Sequence, residues 1–153
     1  MGCEISAGND DDVDWIQVKG TDKLRAISAD LLNLPDSGQT LAVLAAFCQG
    51  KSNFTGLATL KHKETDRLSA LATELAKLNV KAEIDEESIT VHGGSVKVED
   101  EVRIDTYEDH RMAMSFAVLA ARIPAVKIND PEVVEKSFPD FWTKLSSLGI
   151  QLH

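Results

Sequence analysis

Between Leu68 and Leu78 the apolar residues Leu68, Leu71, Ala72, Leu75 and Leu78 recur at steps of three and four. This is the stripe of an amphipathic helix, and it predicts one over Glu64–Leu78. From Val80 to Gly94 the pattern changes to alternation broken at Glu86-Glu87, which predicts a β-hairpin. Upstream, the short runs Cys3–Ala7 and Trp15–Val18 read as two strands joined by an acidic, solvated turn in "GNDDDVDW". A third extended run covers Leu24–Leu32 and ends at Pro35-Asp36. "GQTLAVLAAFC" (Gly38–Cys48) reads as a buried helix, and "SNFTGLATL" (Ser52–Leu60) as the next strand.

After Gly94 the pattern begins again. A strand near Val102–Thr106 leads into the helix "DHRMAMSFAVLAAR", then the strand "AVKIND", then "KSFPDFWTKLSSLG". In that last run Pro139 suits a first helical turn and Gly149 a stop. "AVLAA" occurs at Ala42–Ala46 and again at Ala117–Ala121, and "LAKL" at Leu75–Leu78 corresponds to "LSSL" at Leu145–Leu148. These echoes imply an α/β fold built on a repeated β-α-β-α-β-β unit of about 70 residues. Residues 1–20 then form the closing hairpin of a preceding unit, 21–94 a complete unit and 95–153 an incomplete one. All three belong to one domain of something larger.

Composition narrows the function. A hydrophobic fraction of 43% is that of a chain with a packed core rather than a disordered one. A formal net charge of −9 argues against nucleic acid and against an anionic membrane surface. It leaves room for a small anionic substrate gripped by a local basic cluster. The acidic turn lacks the spacing of a calcium loop, so no metal is predicted. Cys3 and Cys48 sit in apolar contexts without metal-ligand spacing and read as buried free thiols, as in a reducing compartment. With no apolar run long enough to cross a bilayer and no leader ahead of the first strand, a cytoplasmic location is expected.

The candidate chemistry lies at the helix starts. The first carries Pro35-Asp36-Ser37, the second Lys63, Glu64, Asp66 and Arg67. The third carries Glu108-Asp109-His110-Arg111, and the fourth has Lys136 just ahead of it. Acidic residues at such positions are ordinary caps. Cations are not, because a helix N-terminus already carries partial positive charge. The same unfavourable placement at three starts implies a shared anion that offsets it. If the second helix begins near Lys63, then Lys63, Glu64 and Arg67 lie on one face, either as a surface salt-bridge cluster or as a grip in which cations hold an anion and an acid stands nearby for proton transfer.

Four segments in register, "PDSGQTLAVLA", "LKHKETDRL", "DTYEDHRMAMSFAVLA" and "KSFPDFWTKLSSLG", resemble the EPSP synthase (3-phosphoshikimate 1-carboxyvinyltransferase) family. The resemblance is to roughly the carboxy-terminal third of such an enzyme. It implies transfer of an enolpyruvyl group from phosphoenolpyruvate to the 5-hydroxyl of shikimate 3-phosphate with release of phosphate, on the way to chorismate and the aromatic amino acids. It also implies glyphosate as inhibitor and no cofactor. By motif position, Asp36 resembles the carboxylate that holds the shikimate hydroxyls and takes the 5-hydroxyl proton. Lys63 resembles the lysine beside that hydroxyl, and Glu64 the acid that protonates the methylene carbon. Arg67, Arg111 and Lys136 resemble the grip on phosphoenolpyruvate, and His110 beside them reads as a substrate-binding residue that hydrogen-bonds within the site, or else as a structural histidine. Both substrates are anions, and an enol ether becomes electrophilic only once its methylene carbon is protonated, so this reaction needs both signs of charge.

The resemblance also implies a cleft shared with a second domain that supplies further anion-binding groups. The chain alone is therefore expected to be catalytically silent. A sister enzyme acting on UDP-N-acetylglucosamine would carry Asp-x-Arg-Ala-Gly at the third helix, where this chain has Asp109-His110-Arg111-Met112-Ala113. A non-catalytic domain on the same fold is the other alternative, and it would tolerate loss of Glu64.

Overall fold

The computed structural model describes residues 1–94 and 96–150. Strands β1 (Glu4–Asp10) and β2 (Val13–Lys19) pair antiparallel into a two-stranded ribbon. Its two-residue turn, Asp11-Asp12, is left-handed at both positions (φ 49° and 65°), the geometry that matches the twist of a tight hairpin. Trp15 lies across Gly8 and donates its indole N–H to Asp10 at 2.8 Å; a Cβ on Gly8 would come within 2.5 Å of the ring. On the opposite face of the ribbon Ile5, Ile16 and Val18 are 71%, 75% and 59% exposed.

Strand β3 (Ser28–Asp30), helix α1 (Gly38–Ala45), strand β4 (Gly50–Thr55), helix α2 (Arg67–Lys77) and strands β5 (Lys81–Ile84) and β6 (Ile89–Gly93) follow. The four strands form one sheet in the order β3-β4-β6-β5, with β3 and β4 parallel and the other pairings antiparallel. Strand β7 (Val102–Ile104), helix α3 (His110–Ala120), strand β8 (Val126–Ile128) and helix α4 (Phe141–Ser147) repeat the beginning of that order, with β7 and β8 parallel. Ser95 and Gln151–His153, at the two ends of the stretch read as an incomplete unit, lie outside the described residues.

Several boundaries differ from the sequence pattern, each for a local reason. The predicted strand over Ser52–Leu60 ends at Thr55, and Ala58–His62 coils into a 3-10 helix that buries Leu57 and Leu60 completely. The helix predicted from Glu64 starts at Arg67. The Asp66 carboxylate accepts the N–H groups of Leu68 and Ser69, both at 3.1 Å, and so caps it there. Pro139 falls just outside α4, and a 3-10 helix at Pro131–Lys136 precedes it. Cys48 is buried and Cys3 only half-buried; neither is in a disulfide.

The core lies between the sheet and the helices. Leu68, Leu71, Leu75 and Leu78 of the α2 stripe are fully buried with Phe54, Ile89 and Val91 of the sheet and with Met112, Phe116 and Leu119 of α3. Each such side chain contributes about 1.5–3 kcal/mol of burial. Helices α1 and α3 pack on one another, and Thr40 Oγ1 lies 3.1 Å from Ser115 Oγ, 75 residues apart. That is the same offset as between the two "AVLAA" runs, so equivalent positions of the repeat face each other. A Cβ on Gly93 of β6 would lie 2.0 Å from the Ala45 carbonyl oxygen and 2.4 Å from that of Cys48, so only hydrogen fits where the end of α1 meets the sheet.

Tyr107 and Glu108, just before α3, are both left-handed (φ 55° and 57°). For residues other than glycine this costs about 1–2 kcal/mol each. Asp109 then caps α3, its carboxylate accepting Arg111 N–H at 2.8 Å.

Candidate functional site

The residues singled out in the sequence converge at the amino-terminal side of α1, α2 and α3. Arg67 is the centre. Its side chain is 2% exposed and engages three carboxylates from three parts of the chain. Nε donates to Asp109 Oδ2 at 2.6 Å, Nη1 to Asp36 Oδ1 at 3.2 Å and Nη2 to Glu64 Oε2 at 2.8 Å. A guanidinium can do this because its five N–H donors lie in a fixed fork.

The remaining cations join through those carboxylates. Arg111 Nη2 lies 3.1 Å from Asp36 Oδ2, and Lys63 Nζ 3.9 Å from Asp36 Oδ1. Lys136 Nζ donates to Glu64 Oε1 at 2.9 Å, across 72 residues of chain. Exposure increases outward. Arg67 and Asp109 form a buried floor, Glu64 is a quarter exposed, Lys63, Asp36 and Arg111 are about two-fifths exposed, and Lys136 lies at the rim. His110 begins α3 and is buried, and its Nδ1 has no hydrogen-bond partner. Burial pushes its pKa below the usual histidine value, which favours a neutral imidazole near pH 7.

Three expectations change here. Because α2 starts at Arg67, Lys63 and Glu64 are not on a helix face; the extended backbone at Lys63 turns that lysine toward Asp36. Lys136 ends a 3-10 helix rather than standing at the start of α4. The cations at the starts of α2 and α3 are offset by the protein's own Asp36, Glu64 and Asp109, so an incoming anion would compete with internal carboxylates. Asp109, read from sequence only as a cap, is also the closest partner of Arg67. Its signal was its place two residues ahead of a second arginine.

The Lys136 hydrogen bond, aided by a backbone hydrogen bond and by Arg67, holds the Glu64 carboxyl down at about 2 against an ordinary 4.5. A depressed carboxylate contributes stability that is fully present above its unfolded pKa and is lost as pH falls toward its folded pKa. Replacing Glu64 with Gln should therefore reduce the loss of stability between about pH 4.5 and pH 2 by about 1–2 kcal/mol, after allowance for solvent screening. Urea unfolding across that range, with and without the substitution, checks this. Parallel pH profiles would refute it.

Residues 1–145 match the family described as EPSP synthase (3-phosphoshikimate 1-carboxyvinyltransferase). A 3-phosphoshikimate 1-carboxyvinyltransferase of Ralstonia pickettii is 41% identical over 97% of this chain and 34% of its own length. One from Methanoculleus marisnigri is 39% identical over 98% and 34%. The chain thus spans about a third of the curated relatives it matches. Among solved structures, EPSP synthase from Acinetobacter baumannii superposes with a TM-score of 0.82 at 25% identity, covering 99% of this chain and 37% of that one. The enolpyruvyl transferase NikO from Streptomyces tendae shares the fold, with a TM-score of 0.74 at 20% identity, over 99% of this chain and 33% of that one. No helix among the described residues is long and apolar enough to cross a membrane. An α/β chain with this order of elements and a matching family signature along nearly all its length belongs to the EPSP synthase (3-phosphoshikimate 1-carboxyvinyltransferase) family.

Proposed function

We propose that this chain supplies part of the active site of a 3-phosphoshikimate 1-carboxyvinyltransferase. The reaction moves the enolpyruvyl group of phosphoenolpyruvate onto the 5-hydroxyl of shikimate 3-phosphate, and phosphate leaves. The observation that carries this reading is the single ion-pair network that joins Lys63, Asp36, Arg111, Arg67, Glu64 and Lys136 from distant parts of the sequence. With Asp109 included, four cations meet three carboxylates. The excess positive charge, and the partial exposure of Lys63, Arg111 and Lys136, suit a small, multiply charged anion.

The roles are those that the family resemblance implies for these positions. Asp36 accepts the proton of the attacking hydroxyl. The hydroxyl oxygen bonds to the phosphate-bearing carbon while Glu64 delivers a proton to the methylene carbon, giving a tetrahedral adduct. The carbon–oxygen bond to phosphate then breaks, and the methyl group returns a proton to carboxylate as the double bond re-forms. Lys63, Arg111 and Lys136 bind the carboxylate and phosphate. Arg67, assigned to that grip by family resemblance, is covered by three carboxylates and serves better as their anchor.

Glu64 held near 2 is a poor proton donor. An anion that takes Lys136 for itself removes the main cause of that depression and raises the Glu64 pKa toward a useful range. Substrate arrival and acid activation are thereby linked through one lysine.

The test is a fusion of the first two-thirds of the Ralstonia pickettii relative to this chain in place of its own last third. Phosphate release that requires both phosphoenolpyruvate and shikimate 3-phosphate is the expected result. A folded fusion that binds both substrates and releases none would reject the reading and favour a non-catalytic domain.

A further inference from the structure

Outside the site, a second polar cluster among the described residues is centred on the buried Glu74 and reaches outward to the partly exposed Lys77, Asp105 and Tyr107. Glu74 is fully buried in α2, seven positions after Arg67 and so two helical turns along the same face. Its carboxylate accepts the Tyr107 hydroxyl at 2.7 Å and the Asp105 backbone N–H at 3.0 Å, and pairs with Lys77 Nζ at 2.7 Å. Lys77 also pairs with the Asp105 carboxylate at 2.8 Å and donates to the Arg103 carbonyl at 3.0 Å; Asn129 donates to Asp105 at 2.7 Å.

The segment held this way includes two consecutive left-handed residues. Tyr107 and Glu108 keep their left-handed conformation between two anchors on a single helix. Glu74 and Lys77 grip Asp105–Tyr107, and Arg67 grips Asp109. Strain of this kind persists only where the surroundings over-determine it. The turn delivers Asp109 to Arg67 and starts α3 so that Arg111 reaches Asp36. Burial and the Glu74 charge push the Tyr107 hydroxyl well above its usual range, so it remains a donor.

We propose that Glu74 and Tyr107 are positioning residues, whose hydrogen bond holds the Tyr107-Glu108 turn and thereby sets Asp109 and Arg111 in the cluster. The contribution to catalysis rests on the transferase reading; the mechanical part does not.

The experiment follows hydrogen exchange of the Arg67 Nε–H by NMR in the 153-residue chain. Replacing Tyr107 with Phe should speed that exchange by roughly tenfold or more, with the amides of α1 unchanged. Adding Glu108→Gly, which accepts the left-handed conformation without strain, should recover most of the protection. Glu74→Gln is the second variant and should act in the same direction; should it fail to fold, Tyr107→Phe decides alone. Unchanged Arg67 exchange in folded Tyr107→Phe, equal acceleration throughout α1, or absence of rescue by Glu108→Gly would each overturn the inference. These readouts need no turnover, so an inactive fusion protein would count against the transferase reading and leave this result standing.

Discussion

Replacing Arg67 with Met lowers the unfolding free energy by about 3–5 kcal/mol at pH 7, the usual consequence of stranding buried charge. The substitution nearly preserves volume, so little of the loss comes from packing. What remains is the Asp109 carboxylate, 0% exposed and without its closest partner, with Asp36 and Glu64 deprived of a shared donor. Arg67→Lys should recover less than half, because a single ammonium cannot reproduce a fork that reaches three carboxylates. Adding Asp109→Asn to Arg67→Met should return a good part of the stability by removing the stranded charge. Urea midpoints of the unsubstituted chain, Arg67→Met, Asp109→Asn and the double variant form the cycle. A loss below about 1 kcal/mol for Arg67→Met would mean that the hub carries little of the fold's stability.

The largest effect on activity is expected at Glu64. In the fusion enzyme Glu64→Gln should reduce kcat by about 10²–10⁴-fold, the range for loss of a positioned acid, while KM for phosphoenolpyruvate changes little. The amide preserves shape but offers one acceptor oxygen where the carboxylate offers two, so it keeps the hydrogen bond from Arg67 or from Lys136 but not both, and it has no acidic proton to deliver to carbon. Lys136→Met should raise KM instead, since it removes a rim cation. The reverse split, a raised KM and an unchanged kcat for Glu64→Gln, would assign Glu64 to binding and end its role as acid.

Much of this architecture was legible in the chain. The leucine stripe of α2 and the alternation of β5 and β6 are periodic signals set by burial on one face, and both appear where the periods place them. Asp36, Lys63, Glu64, Arg67, Arg111 and Lys136 were named from motif position and family resemblance, and the fold draws them together. What escaped was aperiodic. The 3-10 helices at Ala58–His62 and Pro131–Lys136 leave no repeat long enough to read. The depth of Arg67 was hidden because local sequence does not reveal which of several carboxylates will bury an arginine. Glu74 and Lys77 look like surface charges on an amphipathic helix; only their tertiary partners, Asp105 and Tyr107, show otherwise.

The ribbon at the start of the chain has its own consequence. It forms its ladder from its own two strands, leaves both outer edges open and turns Ile5, Ile16 and Val18 toward water. Such a surface is adhesive, because open edges accept new strands and an uncovered greasy face rewards any cover. The ribbon Glu4–Lys19 is therefore the part of the chain most prone to self-association, opposed by the net charge of −9, and a cover over it would keep the molecule dispersed.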